Sequence, residues 1–432
     1  MSVRSSRLPS LPRTQRRLGS TGGLDHPLVG LLGAMLLVRV LTDDLSSPAS
    51  RHSGSLNLSA AIAVLLIVVA TSVLLRQRRG MLPTTLAVFW LCVWTGVAVS
   101  TRGASAETLR EGVRELSVVA LAVIVYNGRG AVTGSVAARM IALIGLVPAL
   151  VALYQFATHT GMFVAGNIRS NGTFAHPNSA AMFFAIAAIA SLYLYLDNGR
   201  HRFDALLTAL FAAALITTFS IDGLITLSAM LVLFGALHPG SRYVKLGPSL
   251  MALAIVLAFF ATPLGSRRIA KESGTNVATA ERNESNSSLA WRLNKWKTLI
   301  PKWERRPVFG QGLGTTTTEP GIRGNEFAGA LPHNEYLRCL VETGVVGLAI
   351  LLCCLGMMVR GLLDRRRTPA RDAVTVNAAT LAIVVLAGCL VDSLADNTFL
   401  NSPTCYAATL IVIAVLCLPS IEKHRRPTVT RV

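Results

Sequence analysis

The chain has 432 residues, 52% of them hydrophobic and only 15% charged, with a mean hydropathy of +0.53. A soluble chain carries about 25% charged residues, so an ordinary soluble enzyme is excluded. The charges are uneven, 41 Lys+Arg against 22 Asp+Glu for a formal +19. At this hydropathy the excess reads as the basic loops of a polytopic membrane protein, and a nucleic-acid surface is set aside.

A bilayer-crossing helix needs about 20 mostly apolar residues. Twelve such runs lie near 27–42, 57–75, 81–100, 113–127, 138–157, 178–196, 204–220, 223–238, 247–264, 336–359, 374–392 and 403–419. Arg4, Arg7, Arg13, Arg16 and Arg17 precede the first run; Arg76, Arg78, Arg79, Arg200, Arg202, Arg360, Arg365, Arg366, Arg367 and Arg371 follow even-numbered ones, and Lys423, Arg425 and Arg426 follow the last. All fall on one side of a twelve-span arrangement, which makes that side cytoplasmic and places both termini there. The expected organisation is a basic tail over 1–26, spans one to nine over 27–264, a large outer loop over 265–335, spans ten to twelve over 336–419 and a basic tail over 420–432. Arg16-Arg17 and the apolar stretch 28–41 do not read as an export signal, because Arg39 interrupts the stretch and the chain continues through many spans. The seven Cys, at 92, 339, 353, 354, 389, 405 and 417, lack metal-ligand spacing and read as small apolar residues.

In chain order, the first segment with chemistry is Asn167–Asn178 before the sixth span, a small, polar, turn-rich stretch holding Arg169 and ending at a helix-starting Pro177. On residue type alone it passes for an ordinary connector. The 265–335 loop carries eleven Lys+Arg and seven Asp+Glu, an outward basic surface suited to an anionic headgroup or pyrophosphate. Within it, 288–300 predicts a helix capped by Ser287 or Ser288, with Leu289, Leu293, Trp296 and Ile300 as its apolar stripe and Pro301 as its end. Arg292 and Lys295 share a face, and three of the five Trp (Trp291, Trp296, Trp303) fall in or beside this helix, as in an interfacial anchor. Gly310-Gln311-Gly312-Leu313-Gly314 only superficially resembles a nucleotide loop and reads as a turn back to the membrane.

His333, the one His of that loop, lies where the chain re-enters the bilayer and could take a proton from a hydroxyl. Glu342, inside the tenth span, has Arg338 four residues earlier as its natural partner. Asp392 and Asp396, at the outer end of the eleventh span, either cap it or pair with an Arg.

Together these residues resemble the O-antigen ligase and O-antigen polymerase superfamily of bacterial inner-membrane glycosyltransferases, over roughly residues 60–420. Arg169 through Asn178 looks like the family's Arg-x-x-Gly-Thr-Phe-x-x-Pro-Asn stretch. Arg292-x-x-x-Trp296 followed by Pro307 through Gly314 looks like its loop signature, and His333-Asn334-x-x-Leu337 through Glu342-x-Gly344-x-x-Gly347-Leu348 looks like its most specific element. One departure stands out. Many members carry a Ser-Arg pair in the hairpin after the seventh span, where this chain reads Thr218-Phe219-Ser220-Ile221-Asp222-Gly223, so another cation must serve in its place.

The resemblance implies an all-α, GT-C-like polytopic fold of about twelve membrane helices, with a large periplasmic loop containing short helices. It implies an inner-membrane ligase that moves O-antigen glycan from undecaprenyl pyrophosphate to the lipid A-core of lipopolysaccharide. The reaction is a metal-independent, cofactor-free, inverting transfer on the periplasmic face, with no nucleotide or nucleic acid among its partners. His333 is the expected base; Arg169 and Arg292, then Lys295, Arg305 and Arg306, the expected pyrophosphate ligands; Asn334, Arg338, Glu342 and Asp392 the expected supports. A polymerase joining lipid-linked repeat units or a protein O-oligosaccharyltransferase are the alternatives within the chemistry. A twelve-span flippase or transporter fits less well, since no half-repeat is evident and the cations lie away from the midplane.

Overall fold

The computed structural model describes residues 26–44, 58–77, 82–103, 105–128, 130–164, 167–197, 201–273, 288–316, 331–367 and 373–417. The basic tails, and the parts of the large loop at 274–287 and 317–330, lie outside the described residues. A helix occupies every one of the twelve apolar stretches. They are α1 (Pro27–Leu41), α2 (Leu58–Gln77), α3 (Leu82–Arg102), α4 (Ala106–Asn127), the pair α5 (Gly134–Ile144) and α6 (Leu146–Thr158), α7 (Pro177–Asp197), α8 (Arg202–Thr217), α9 (Ile221–Leu237), α10 (Arg242–Ala261), α13 (Glu335–Arg367), α14 (Ala373–Asp392) and α15 (Ser402–Leu416). Between α10 and α13 lie α11 (Pro263–Ser273) and α12 (Ser288–Arg305). Among the described residues, seven spans are long and apolar enough to cross a membrane, α5 and α6 counting together as one; α1, α9 and α15 are apolar but shorter.

The fold is not wholly helical. Met162–Val164 and Asn167–Arg169 pair as a two-stranded antiparallel hairpin, β1–β2, ahead of α7. Helix α7 is the hub, buried all round against α5, α8, α9, α14 and α15. Its run of Ala at 180, 181, 185, 187, 188 and 190 lets neighbouring backbones approach closely, the way small residues bring apolar helices together in lipid. At one end of the bundle, Arg139 pairs with Asp204, Arg366 donates to the Leu237 carbonyl and Asn377 donates to Asp197. The connections after α6, α8, α10 and α14 meet at the opposite end, and this convergence assembles the site.

Two helices depart from expectation. The first, α12, runs through Pro301 to Arg305 instead of stopping there. Proline removes one hydrogen bond and bends a helix without necessarily ending it, and here Gln311 donates to the Lys302 carbonyl and holds the last turn. Its N-terminus is capped by Glu272 of α11, whose carboxylate accepts from the backbone N–H of Ser288 (3.0 Å) and Leu289 (2.9 Å). The buried face is Ala290, Arg292, Lys295 and Leu299, whereas Ile300 is exposed. The cations therefore turn inward, where the Leu/Trp stripe was expected.

Helix α13 is interrupted at Gly344 (φ +64°). In an unbroken helix the N–H groups of Val345 and Val346 would bond to the carbonyls of Val341 and Glu342. Instead they donate to Pro307 (2.9 Å) and Val308 (3.2 Å), while those two carbonyls accept from Gln311 (2.9 Å) and Gly312 (2.8 Å). Four loop bonds replace two helix bonds, so the four backbone groups released by the break are all paired again. The glycine loop is thus a backbone clasp on α13, and a Cβ on Gly344 would stand 2.2 Å from the Val308 carbonyl oxygen. Trp94 of α3 donates to Phe309 O (2.9 Å) and Trp90 to Gly347 O (2.9 Å), fastening the clasp from the side.

Candidate active site

Segment 169–178 is held on every side. The Gln155 side chain accepts from the N–H of Asn171 and Gly172 and donates to the Gly172 carbonyl; Thr173 Oγ1 donates to Val40 O, and Ser170 N–H to Thr217 O. This is a fixed platform, not an ordinary connector. From it Arg169, 2% exposed, donates through Nε to the Thr218 carbonyl (2.7 Å) and through Nη2 to Asn178 Oδ1 (2.8 Å). Asn178 also accepts from Ser220 Oγ (3.1 Å) and donates to Asp222 Oδ2 (3.4 Å).

Asp222, in the first turn of α9, receives the guanidinium of Arg292 at 2.5 and 3.4 Å. The hairpin that lacks an Arg therefore presents an acid, and α12 supplies the cation. Burial works against the charge on Arg292, but Asp222 outweighs it and raises the affinity of Arg292 for its proton. Arg169 is affected in the opposite sense. Burial, with the Arg268 and Arg292 charges beside it, holds Arg169 well below the ordinary guanidinium value. A buried anion would relieve that strain.

His333 sits beside this cation cluster. Trp291, one residue before Arg292, stands edge-on to its ring with centroids 5.3 Å apart, and the His176 ring is 6.0 Å away. His333 Nδ1 lies 2.6 Å from Asp396 Oδ1. Burial pushes the Asp396 carboxyl up, but His333, His176 and Arg292 outweigh it and hold Asp396 well below the usual carboxylate range. An ionised carboxylate can only accept, so the contact calls for the proton on His333 Nδ1, and in the neutral imidazole Nε2 is then the acceptor nitrogen. The His333 backbone is equally fixed, at φ +47°, by its N–H donating to Asn397 Oδ1 (2.7 Å). Asn397 in turn donates to Glu335 (3.2 Å), which pairs with Arg338.

That last link shows what Arg338 and Glu342 do. Arg338 meets Glu342 (3.0 Å), Glu115 (3.0 Å), Glu111 (3.4 Å) and Glu335 in a buried network behind His333. They support the loop that carries the imidazole. Asn334 accepts from Leu337 N–H, capping α13, and donates to the Leu394 carbonyl.

Other expected site residues are not brought to the imidazole. Arg305 and Arg306 are exposed at the far end of α12, about 20 Å from Arg292 at 1.5 Å per residue. Asp392 accepts from Thr398 Oγ1 (2.8 Å) and pairs with no Arg among the described residues; the acid that meets His333 is Asp396, four residues on. Lys295 is buried on the Arg292 face of α12. The structure adds His176, Asn178, Asp222 and Arg268. His176 accepts from Asn178 N–H through Nδ1 (3.2 Å), and burial, then Arg169 and His333, pull its pKa down to about 3, so it stays neutral. Its position two residues before Asn178 was the available signal; Arg268 was masked by ten other cations in the loop.

Residues 206–352 match the family model described as O-antigen ligase. The match supports the O-antigen ligase and polymerase superfamily. The matched stretch runs from α8 into α13 and holds Asp222, Arg268, Arg292 and His333, while Arg169, His176 and Asp396 come from outside it. No curated protein matches the chain significantly. The match covers the stretch in which the basic cluster and the His333 segment meet at the ends of apolar helices.

Proposed function

We propose that the protein transfers a glycan from undecaprenyl pyrophosphate to the lipid A-core of lipopolysaccharide, at the periplasmic face of the inner membrane, with both termini cytoplasmic and the chain crossing twelve times. The observation that carries this reading is the His333–Asp396 dyad standing beside Arg169 and Arg292. His333 Nε2 takes the proton of the acceptor hydroxyl as its oxygen attacks the anomeric carbon. The bond from that carbon to the pyrophosphate oxygen breaks, and the electron pair leaves with the pyrophosphate. Arg169 and Arg292 meet the growing charge, each charge-assisted contact contributing about 1.5–3 kcal/mol. A single displacement inverts the anomeric centre. Imidazole base help is worth about 10²–10⁴-fold.

Purified protein in nanodiscs, given lipid-linked glycan and either lipid A-core or a second lipid-linked unit, tests the proposal. Growth of lipid A-core supports it. Growth of the lipid-linked unit makes the protein a polymerase, and no transfer to either overturns the reading. EDTA leaves the rate unchanged; loss with EDTA and rescue by a divalent ion would refute the metal-independent step.

A further inference from the structure

Arg268 belongs to no part of the mechanism above, yet it is 8% exposed, on an amphipathic helix at the same end of the bundle. Its Nε is sealed from solvent without a hydrogen-bond partner, and the guanidinium makes no ion pair among the described residues. The nearest candidate on its own helix, Glu272, is one turn away, and its carboxylate oxygens are engaged by the N-terminus of α12. A buried guanidinium left unpaired costs several kcal/mol unless something outside the chain completes it.

Its neighbours say what that is. Arg268 is the strongest charge acting on Arg169, and it feels Glu272 first, then Asp222 and Arg292. The three arginines face Asp222, with Glu272 and Asp396 further offsetting them, so the cluster is a set of cations held in check by carboxylates, ready for a doubly charged anion such as a pyrophosphate diester. Arg292 Nε is likewise buried and unbonded, although Asp222 holds the other end of its fork. Five N–H donors in a planar fork suit phosphate oxygens, and here two forks have capacity unspent.

We infer that Arg268 is a third ligand of the pyrophosphate that Arg169 and Arg292 receive, and that Asp222 is an internal counter-ion which yields Arg292 when that anion arrives. This rests on the proposed donor chemistry, but it can fail separately. It also adds a second cation, from α11, to the one that α12 brings to the arginine-free hairpin, and Asp222 keeps the empty cluster from accumulating unbalanced charge.

Titration calorimetry of the full chain in zwitterionic nanodiscs, with inorganic pyrophosphate as the probe, decides it. The wild type should bind saturably; Arg268→Gln should weaken binding at least 10-fold; Asp222→Asn should strengthen it several-fold. The melting temperature of Arg268→Gln should equal or exceed that of wild type, since the change removes a buried charge whose Nε has no hydrogen-bond partner among the described residues. Unchanged pyrophosphate affinity in Arg268→Gln, a drop in melting temperature without a loss of affinity, or no saturable binding by wild type would overturn the inference. So would abolition of wild-type pyrophosphate binding in nanodiscs of anionic phosphatidylglycerol, which would assign the cluster to lipid headgroups. Glycan transfer is read separately. If pyrophosphate binds through Arg268 but no glycan moves, the proposed function falls and the anion site stands; if glycan moves and Arg268→Gln binds as wild type, only the anion site falls.

Discussion

Replacing Asp396 with Asn keeps the shape of the side chain and removes its charge. Oδ1 accepts from two donors, His333 Nδ1 at 2.6 Å and the N–H of Asn397 at 2.8 Å, and an amide oxygen can still accept from both. The imidazole therefore keeps its orientation in Asp396→Asn. What disappears is the interaction with the imidazolium that forms once His333 holds the acceptor's proton, a charge-assisted bond of about 1.5–3 kcal/mol. At about 1.4 kcal/mol per decade this predicts a turnover lower by roughly 10- to 150-fold, with donor binding no weaker, because the lost Asp396 charge only offset Arg169 and Arg292. Asp396→Ala loses the orientation as well and should fall further. The assay is initial-rate transfer in nanodiscs at matched protein level, with pyrophosphate affinity measured in parallel. Turnover of Asp396→Asn within two-fold of wild type would refute the dyad, and so would a loss confined to donor affinity.

Two further outcomes follow from buried charge. Arg338→Ala leaves Glu111, Glu115, Glu335 and Glu342 without their shared partner, at a cost of about 3–5 kcal/mol. It should reduce the yield of folded protein and the melting temperature in detergent, and a melting temperature equal to wild type would show that the network is dispensable. His176 is held near pKa 3, below the 6.5 of an unfolded imidazole, so the unfolded chain binds the proton first and stability is lost as pH falls from about 6.5 toward 3. The depressed Asp396 carboxyl acts in the same direction, because its stabilising charge disappears in acid. His176→Asn, whose side chain can still accept from Asn178 N–H, should unfold at a lower pH than wild type; equal acid midpoints would contradict this.

Hydropathy alone made the helices legible, since every apolar stretch is a helix. Arg169, Arg292 and His333 were legible because each lies in a dense polar segment flanked by apolar runs. Their partners were not. Asp392 and Asp396 look equivalent in the chain, and only the path after α14 turns the second toward His333. The pattern of α12 misleads for a physical reason. Its apolar stripe suggests the buried face, but Leu289, Leu293 and Trp296 are only half-buried, and Asp222, 70 residues earlier, pairs with Arg292 on the more deeply buried side. Glycine spacing announced a turn at 310–314, but an exchange of hydrogen bonds with a helix is a tertiary event with no local signature.

The interruption at Gly344 also divides the labour of α13 along its length. Residues 345–367 follow the bilayer, so a thinner or thicker membrane will tilt them. Residues 335–343 brace His333 through Glu335 and Asn397, and they share with Val345 and Val346 a tie to the 307–312 loop, which α3 anchors. A continuous rod would carry every tilt into the imidazole. Here the break gives the helix a lateral brace, because both of its arms are fastened to one loop and to α3 just below His333.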